Sequence, residues 1–225
     1  MKQYSEYRAL ARETLKGRWN EMALMMFVLS LFGCAVSVPV AVGTGLGSFA
    51  NDMWLNMGGS GCNFLFTILV LVPLSYAFYN LCLGYARKEE LYESYFSVLL
   101  KDFCAHWSKY VGSGLLMVLL VCLIAIPTLG IGAIILGLAY AVVPFVVRDN
   151  PDMSVRDILR TSRLMMRGHK WELFVLQLTF IGWVLLCFLT LFIGIFWLQP
   201  YITVTVAHFY EDVKAEYDLK KEAGL

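Results

Sequence analysis

The chain has 225 residues, of which 59% are hydrophobic and 16% are charged. Soluble domains usually have about a quarter of their residues charged. This shortage of charge, together with apolar runs of about twenty residues, excludes an ordinary soluble domain and predicts a polytopic membrane protein. The net charge of +1 adds little, because the distribution of charge along the chain is more informative than its sum.

The chain begins with an amphipathic segment that predicts a helix over residues 5–16. Its apolar residues recur at helical spacing, and basic residues recur on another face. Gly17 interrupts this helix and Trp19 follows it. A first apolar span is predicted at about residues 20–42, and a Gly-rich loop is predicted over 43–61. The first span would serve as an uncleaved insertion signal, because the polar start does not resemble a signal peptide.

Five further apolar segments predict membrane spans, at about residues 63–86, 107–126, 131–147, 171–191 and 195–210. A second amphipathic helix is predicted over 89–103, and the charged tail after the last span is expected to continue as a helix. We therefore predict an all-α fold with one integral membrane domain over 1–225. It is a polytopic transmembrane helical bundle of about six spans in three hairpins, each preceded by a cytoplasmic amphipathic interfacial helix.

The third amphipathic helix lies between Arg148 and Trp171 and is the most distinctive segment of the chain. Ser154 and Asp157 have the spacing of an N-terminal cap, and Gly168 is a plausible end. One face is apolar. The other face has four arginines, Arg156, Arg160, Arg163 and Arg167. An apolar face, a basic face and a flanking Trp indicate a helix in a membrane interface. The alternative is an amphipathic helix with a solvated charged face.

The basic residues predict the topology. Of the eighteen Lys and Arg residues, five precede the first span and four lie between the second and third spans or at the start of the third. Six lie between the fourth and fifth spans, and three follow the sixth. The positive-inside rule then places both termini and all three amphipathic helices in the cytoplasm. A model with four long helices and two re-entrant pairs would give the same sidedness. The order of the segments also suggests three repeat units, 5–88, 89–149 and 154–212, although interfacial Trp residues alone would give a similar periodicity.

The apolar segments contain no ionisable residue away from their ends, so an ion or proton pathway is not indicated. Four uncharged polar residues are candidates for the bundle interior, Asn80, Gln177, Thr179 and Gln199. They either form hydrogen bonds between packed helices or line a small cavity. The histidines and cysteines have no metal-binding spacing, and no nucleotide or hydrolase motif occurs. We therefore expect no catalytic residues, no metal and no cofactor, and we expect that the protein is not an enzyme.

Two functions remain open. The first is a non-enzymatic membrane module that binds lipid or a partner protein. Its candidate contact surface is the row of four arginines, because each basic residue near an anionic surface adds about 1 kcal/mol of binding. The second is a transporter or channel for a small uncharged solute. The expected partners are the lipid bilayer with its anionic headgroups and a membrane or cytoplasmic protein, with no nucleic acid.

Four blocks of sequence resemble an uncharacterised bacterial integral membrane family, domain of unknown function number 975. The blocks are Leu15-Lys16-Gly17-Arg18-Trp19, PFVVRDNPDMS, RGHKWELFVLQLTFIGW and PYITVTVAHFYED. The family is similar in style to the membrane domain of some glycerophosphodiester phosphodiesterases. The resemblance implies a membrane module that works with a partner in the bacterial cytoplasmic membrane. It supplies no catalytic residue, since none is established for the family.

Overall fold

The computed structural model describes residues 2–31, 33, 61, 63–89, 95–125 and 131–223. These parts of the chain form helices and turns and contain no strand, so the all-α prediction is confirmed for them. The helices in chain order are α1 (Tyr4–Leu15), α2 (Trp19–Leu31), α3 (Asn63–Ala86), α4 (Tyr95–Ala125), α5 (Ile131–Tyr140), α6 (Val143–Asp149), α7 (Val155–Met165), α8 (Lys170–Leu178), α9 (Ile181–Leu189) and α10 (Ile195–Glu222).

Four stretches of the described chain are long and apolar enough to cross a membrane. They are Asn63–Ala86, Phe96–Ile124, Gly132–Asp149 and Lys170–Leu189. They correspond to the second, third, fourth and fifth predicted spans. The first predicted span is described only as the shorter apolar helix α2, because most of its second half and the following loop to residue 60 lie outside the described residues. The sixth falls within α10, which is not among the four stretches.

The boundary predicted between the second amphipathic helix and the third span is wrong. Residues 95–125 form one uninterrupted helix, whereas the sequence predicted a helix ending at residue 103 and a new one from Trp107. The stretch contains no proline that would remove a backbone donor and break the helix. Trp107 therefore lies within a continuous helix and does not mark the start of one. Residues 90–94 of the predicted amphipathic helix lie outside the described residues.

The prolines disturb the helices locally. Pro73 cannot donate a hydrogen bond to the carbonyl of Leu69, four residues earlier. That carbonyl accepts a bond from the indole nitrogen of Trp107, at 2.7 Å, and the turn of α3 just before the proline widens to a π-helix. Pro144 lies in the first turn of α6, after a break from α5. Pro200 lies inside α10, which runs on to Glu222, as predicted for the tail.

The first and third of the predicted segments preceding the hairpins form helices. α1 ends before Gly17, and α7 ends before Gly168; both glycines have positive φ angles, of 84° and 98°, which other residues adopt only with strain. At the start of α7 the hydroxyl of Ser154 accepts a hydrogen bond from the backbone N–H of Asp157 and donates one to its carboxylate. This is the cap that the sequence predicted.

The apolar faces of these two helices pack against other helices of the protein. Tyr7 and Leu15 of α1 are fully buried against α10 and α3. Ile158 and Leu159 of α7 are buried against α4, α5 and α6. The buried hydroxyl of Ser162 also donates a hydrogen bond to the carbonyl of Ala139, at 2.9 Å, near the break between α5 and α6. α7 is therefore fixed to the bundle by packing and by a buried polar contact.

We expect Ser162→Ala to destabilise the protein by about 1–3 kcal/mol, because a buried carbonyl loses its side-chain donor. Thermal unfolding of the detergent-solubilised protein, followed by circular dichroism, would measure the loss. Ser108→Ala, at an exposed position of α4, is the matched control. Equal unfolding temperatures for the two variants would show that the Ser162 contact does not hold α7 in place.

Candidate functional site

Four exposed arginines lie on α7 and just after its end. We call Arg156, Arg160, Arg163 and Arg167 the arginine face; all four residues are exposed. Arg163 donates a hydrogen bond to the hydroxyl of Tyr140 and lies over its ring, 5.5 Å from the centroid. The side chains of the other three form no ion pair or hydrogen bond with another residue in the described part of the chain. Their charges are therefore available to an outside partner.

The four polar residues predicted for the bundle interior are not brought together. Asn80 is buried, with 3% of its surface exposed. Gln177 is exposed, and the hydroxyl of Thr179 donates to the carbonyl of Leu176 in its own helix, at 2.7 Å. Gln199 lines a different space, a cavity of about 320 Å³ between α2, α3 and α10. Together they do not form one polar lining.

Asn80 belongs instead to a small polar network between α3, α4 and α6. Its amide nitrogen donates to the carboxylate of Asp102 at 3.1 Å and to the hydroxyl of Tyr110. That hydroxyl donates in turn to Asp102, at 2.9 Å. The backbone carbonyl of Asn80 accepts a bond from Arg148, whose other guanidinium nitrogen reaches Glu89. The network ties the charged ends of the three helices together.

A second network has Asp149 at its centre. We call Arg87, Asp149, Tyr210, Glu211 and Lys214 the Asp149 cluster. Arg87 donates two hydrogen bonds to the two carboxylate oxygens of Asp149, at 2.7 and 2.8 Å. Lys214 and Tyr210 add bonds at 2.6 and 2.8 Å, and Arg87 also reaches Glu211 at 2.9 Å. The cluster joins the end of α3, the end of α6 and the middle of α10.

The geometry of the Asp149 cluster explains how a buried charge is tolerated. The side chain of Asp149 is only 7% exposed, and removing a carboxylate from water costs several kcal/mol unless it is fully paired. A bidentate guanidinium and two further donors supply that pairing. The hydrogen bonds that Arg87 donates to Asp149 also raise the pKa of Arg87 above its ordinary value, despite its partial burial. A carboxylate with its oxygens so occupied holds helices in place and has little freedom to accept a proton from a substrate.

Neither network was predicted from the sequence. In the sequence, Arg87 and Lys214 follow apolar segments and indicate only the cytoplasmic side, and nothing there assigns Asp149 a partner. One feature of the sequence did indicate an ion pair: Asp149 is an acid among basic residues at the end of a span, directly after Arg148. Which cation would meet it depends on how the helices pack, and helical periodicity within one segment does not give that information.

The histidines lie apart from one another. His208 contacts the hydroxyl of Thr14, at 3.0 Å, and His169 lies between Glu172 and Glu216. His106 is next to Asp102 on α4. Among the described residues no group of three or more His, Cys, Asp and Glu has the arrangement of a metal site.

The model of one protein family matches residues 64–217, which is more than half of the chain. Its description is "Protein of unknown function (DUF975)". The chain belongs to this family. The match includes the arginine face and the Asp149 cluster, while the block at Leu15–Trp19 precedes it. No curated protein and no solved structure matches the chain.

We expect Asp149→Asn to destabilise the protein by about 3–5 kcal/mol, because it removes the buried carboxylate that pairs with the half-buried side chains of Arg87 and Lys214. Denaturant-induced unfolding in detergent would measure the loss. Asp152→Asn, which removes the same charge from an exposed position three residues later, should have little effect. If both variants unfold alike, the Asp149 cluster does not hold α3, α6 and α10 together.

Proposed function

We propose that the protein is a non-enzymatic membrane module that binds anionic lipid headgroups through the arginine face. In this proposal it crosses the bacterial cytoplasmic membrane six times, with both termini in the cytoplasm. The four long apolar stretches supply four crossings. α2 with the residues that follow it, and the first half of α10, supply the other two. The sidedness follows from the positive-inside rule, since the segments between the spans that we assign to the outer side contain no Lys or Arg.

The lipid assignment is supported by the different surroundings of the two faces of α7. Its apolar face and Ser162 are already used in packing against the bundle. The helix therefore does not need the acyl layer to bury its apolar residues, and its free charges face outward. Arg156, Arg160 and Arg167 form no ion pair with another described residue. Three unpaired arginines at an anionic surface would contribute about 3 kcal/mol together.

The alternative of a solute pathway is not favoured. Such a pathway needs polar groups that converge on a continuous cavity, and Asn80, Gln177 and Gln199 lie in three different surroundings. Asn80 is engaged with Asp102 and Tyr110. A partner protein with an acidic surface remains the other occupant that the arginine face would suit, and the experiment below separates it from lipid.

Changing Arg156, Arg160 and Arg167 to Gln together should weaken the binding of phosphatidylglycerol by the purified protein. The effect should be larger at low salt, because exposed charges are screened within about 10 Å at 0.1 M salt. Native mass spectrometry of the protein, titrated with phosphatidylglycerol or phosphatidylcholine, would count the lipids retained. Arg163 is left unchanged because its contact with Tyr140 stabilises α7.

The matched control changes Lys16, Lys88 and Lys221 to Gln, which removes the same charge from three exposed positions on other segments. Lipid retention should stay close to that of the unaltered protein. Equal retention by the two triple variants would contradict a lipid contact at the arginine face. Loss of a co-purifying acidic protein, with lipid retention unchanged, would assign the face to that protein instead.

A further inference from the structure

A second surface of the molecule has the features of a binding groove for a lipid chain. α1, α2, α9 and α10 enclose a cavity of about 420 Å³, which is within the range of about 300–1,000 Å³ typical of small-molecule sites. We call it the aromatic groove, and its main walls are Arg12, Trp19, Trp183, Cys187, Trp197 and Tyr201. The arginine face of α7 contributes no residue to it.

The walls of the groove are mostly apolar, and part of them is packed. Tyr201 is 7% exposed, and its ring contacts Trp19 and Phe180 with centroids 5.9 and 5.2 Å apart. Cys187 is also buried. From Tyr201 to Gly194, which lies at the other end, α10 advances by about 10 Å. A groove of this length fits the upper part of one extended acyl chain.

One end of the groove is basic. Arg12 lines the cavity beside Tyr201, and the hydroxyl of Tyr201 donates to the carbonyl of Arg8, one turn earlier on α1, at 3.3 Å. The Nε atom of Arg8 is buried and has no hydrogen-bond partner among the described residues. Arg12 forms only a weak contact with that same carbonyl, at 3.4 Å. Neither guanidinium has a carboxylate partner in the described chain.

We propose that the aromatic groove binds one anionic phospholipid. One acyl chain lies along the aromatic walls, and the phosphate lies at Arg12, with Arg8 behind it. The planar guanidinium matches a phosphate with two parallel hydrogen bonds. The groove has an unpaired positive charge at one end and uncharged apolar walls beyond it. A matching occupant therefore has an anionic group for the basic end, joined to an apolar chain for the walls. A membrane phospholipid has that arrangement, and a water-soluble phosphate lacks the chain.

This inference rests on the proposed function in one respect, that the protein binds anionic lipid, but it uses a different surface. The two sites can therefore fail independently. The triple change of Arg156, Arg160 and Arg167 to Gln should leave the groove-bound lipid in place. If that variant retains one tightly bound phosphatidylglycerol, the groove is a separate site. If it retains none, the groove is not a site and the inference is overturned.

Two pairs of variants test the groove, with native mass spectrometry and phosphatidylglycerol as the probe. Leu186→Trp fills the groove from an exposed wall, and Leu185→Trp, on the same turn but outside the groove, is its control. Arg12→Gln removes the phosphate partner, and Lys16→Gln, four residues later at the end of α1, is its control. All four positions are exposed, so the fold should be kept, and size-exclusion chromatography would check it.

Each test variant should lower the apparent affinity of the tightest-bound phosphatidylglycerol by about tenfold, since charge-assisted contacts and chain burial are each worth at least that factor. Each control should change it less than twofold. Phosphatidylcholine should bind more weakly, and glycerol 3-phosphate should not compete. Equal affinities for a variant and its control, equal binding of phosphatidylcholine, or competition by glycerol 3-phosphate would each overturn the inference.

Discussion

The bidentate ion pair between Arg87 and Asp149 is the contact on which the arrangement of the helices depends. It joins the end of α3 to the end of α6, and Tyr210, Glu211 and Lys214 bring α10 to the same point. Asp149 is followed by only five residues before α7 begins. The pair therefore limits how far the start of α7 can lie from the ends of α3 and α6. A packing that separated Asp149 from these partners would leave a buried charge uncompensated, and such a packing is therefore disfavoured.

Much of the fold follows from local chemistry in the sequence. The helices α1 and α7, the Ser154 cap and the glycines that follow these helices all depend on neighbouring residues, and the structure confirms them. The apolar runs of spans two to five are confirmed by length and composition. The sequence wrongly predicted two separate segments where the structure has the single helix α4. Trp107 favours the depth of a membrane interface, but it does not interrupt a helix.

The candidate sites were less predictable, because they depend on which helices meet. Exposure of the arginine face followed from its period, but the contact between Arg163 and Tyr140 did not. Asn80 was selected as an interior polar residue and is buried, while the partners that surround it come from α4 and α6. Gln177 and Gln199 have the same chemistry and lie elsewhere. The sequence shows that a polar residue in an apolar segment is costly to bury without a hydrogen-bond partner. Which residue becomes that partner depends on how the helices pack.

In the proposed function, α7 and the residues just after it present Arg156, Arg160 and Arg167 to anionic headgroups on the cytoplasmic side. This central claim is tested most directly by the sidedness of α7. Arg160→Cys, in a protein whose six native cysteines are changed to alanine, would be treated with a membrane-impermeant maleimide in oriented membrane vesicles. The account predicts labelling only when the cytoplasmic surface faces the reagent. Labelling of sealed cells from outside would contradict it.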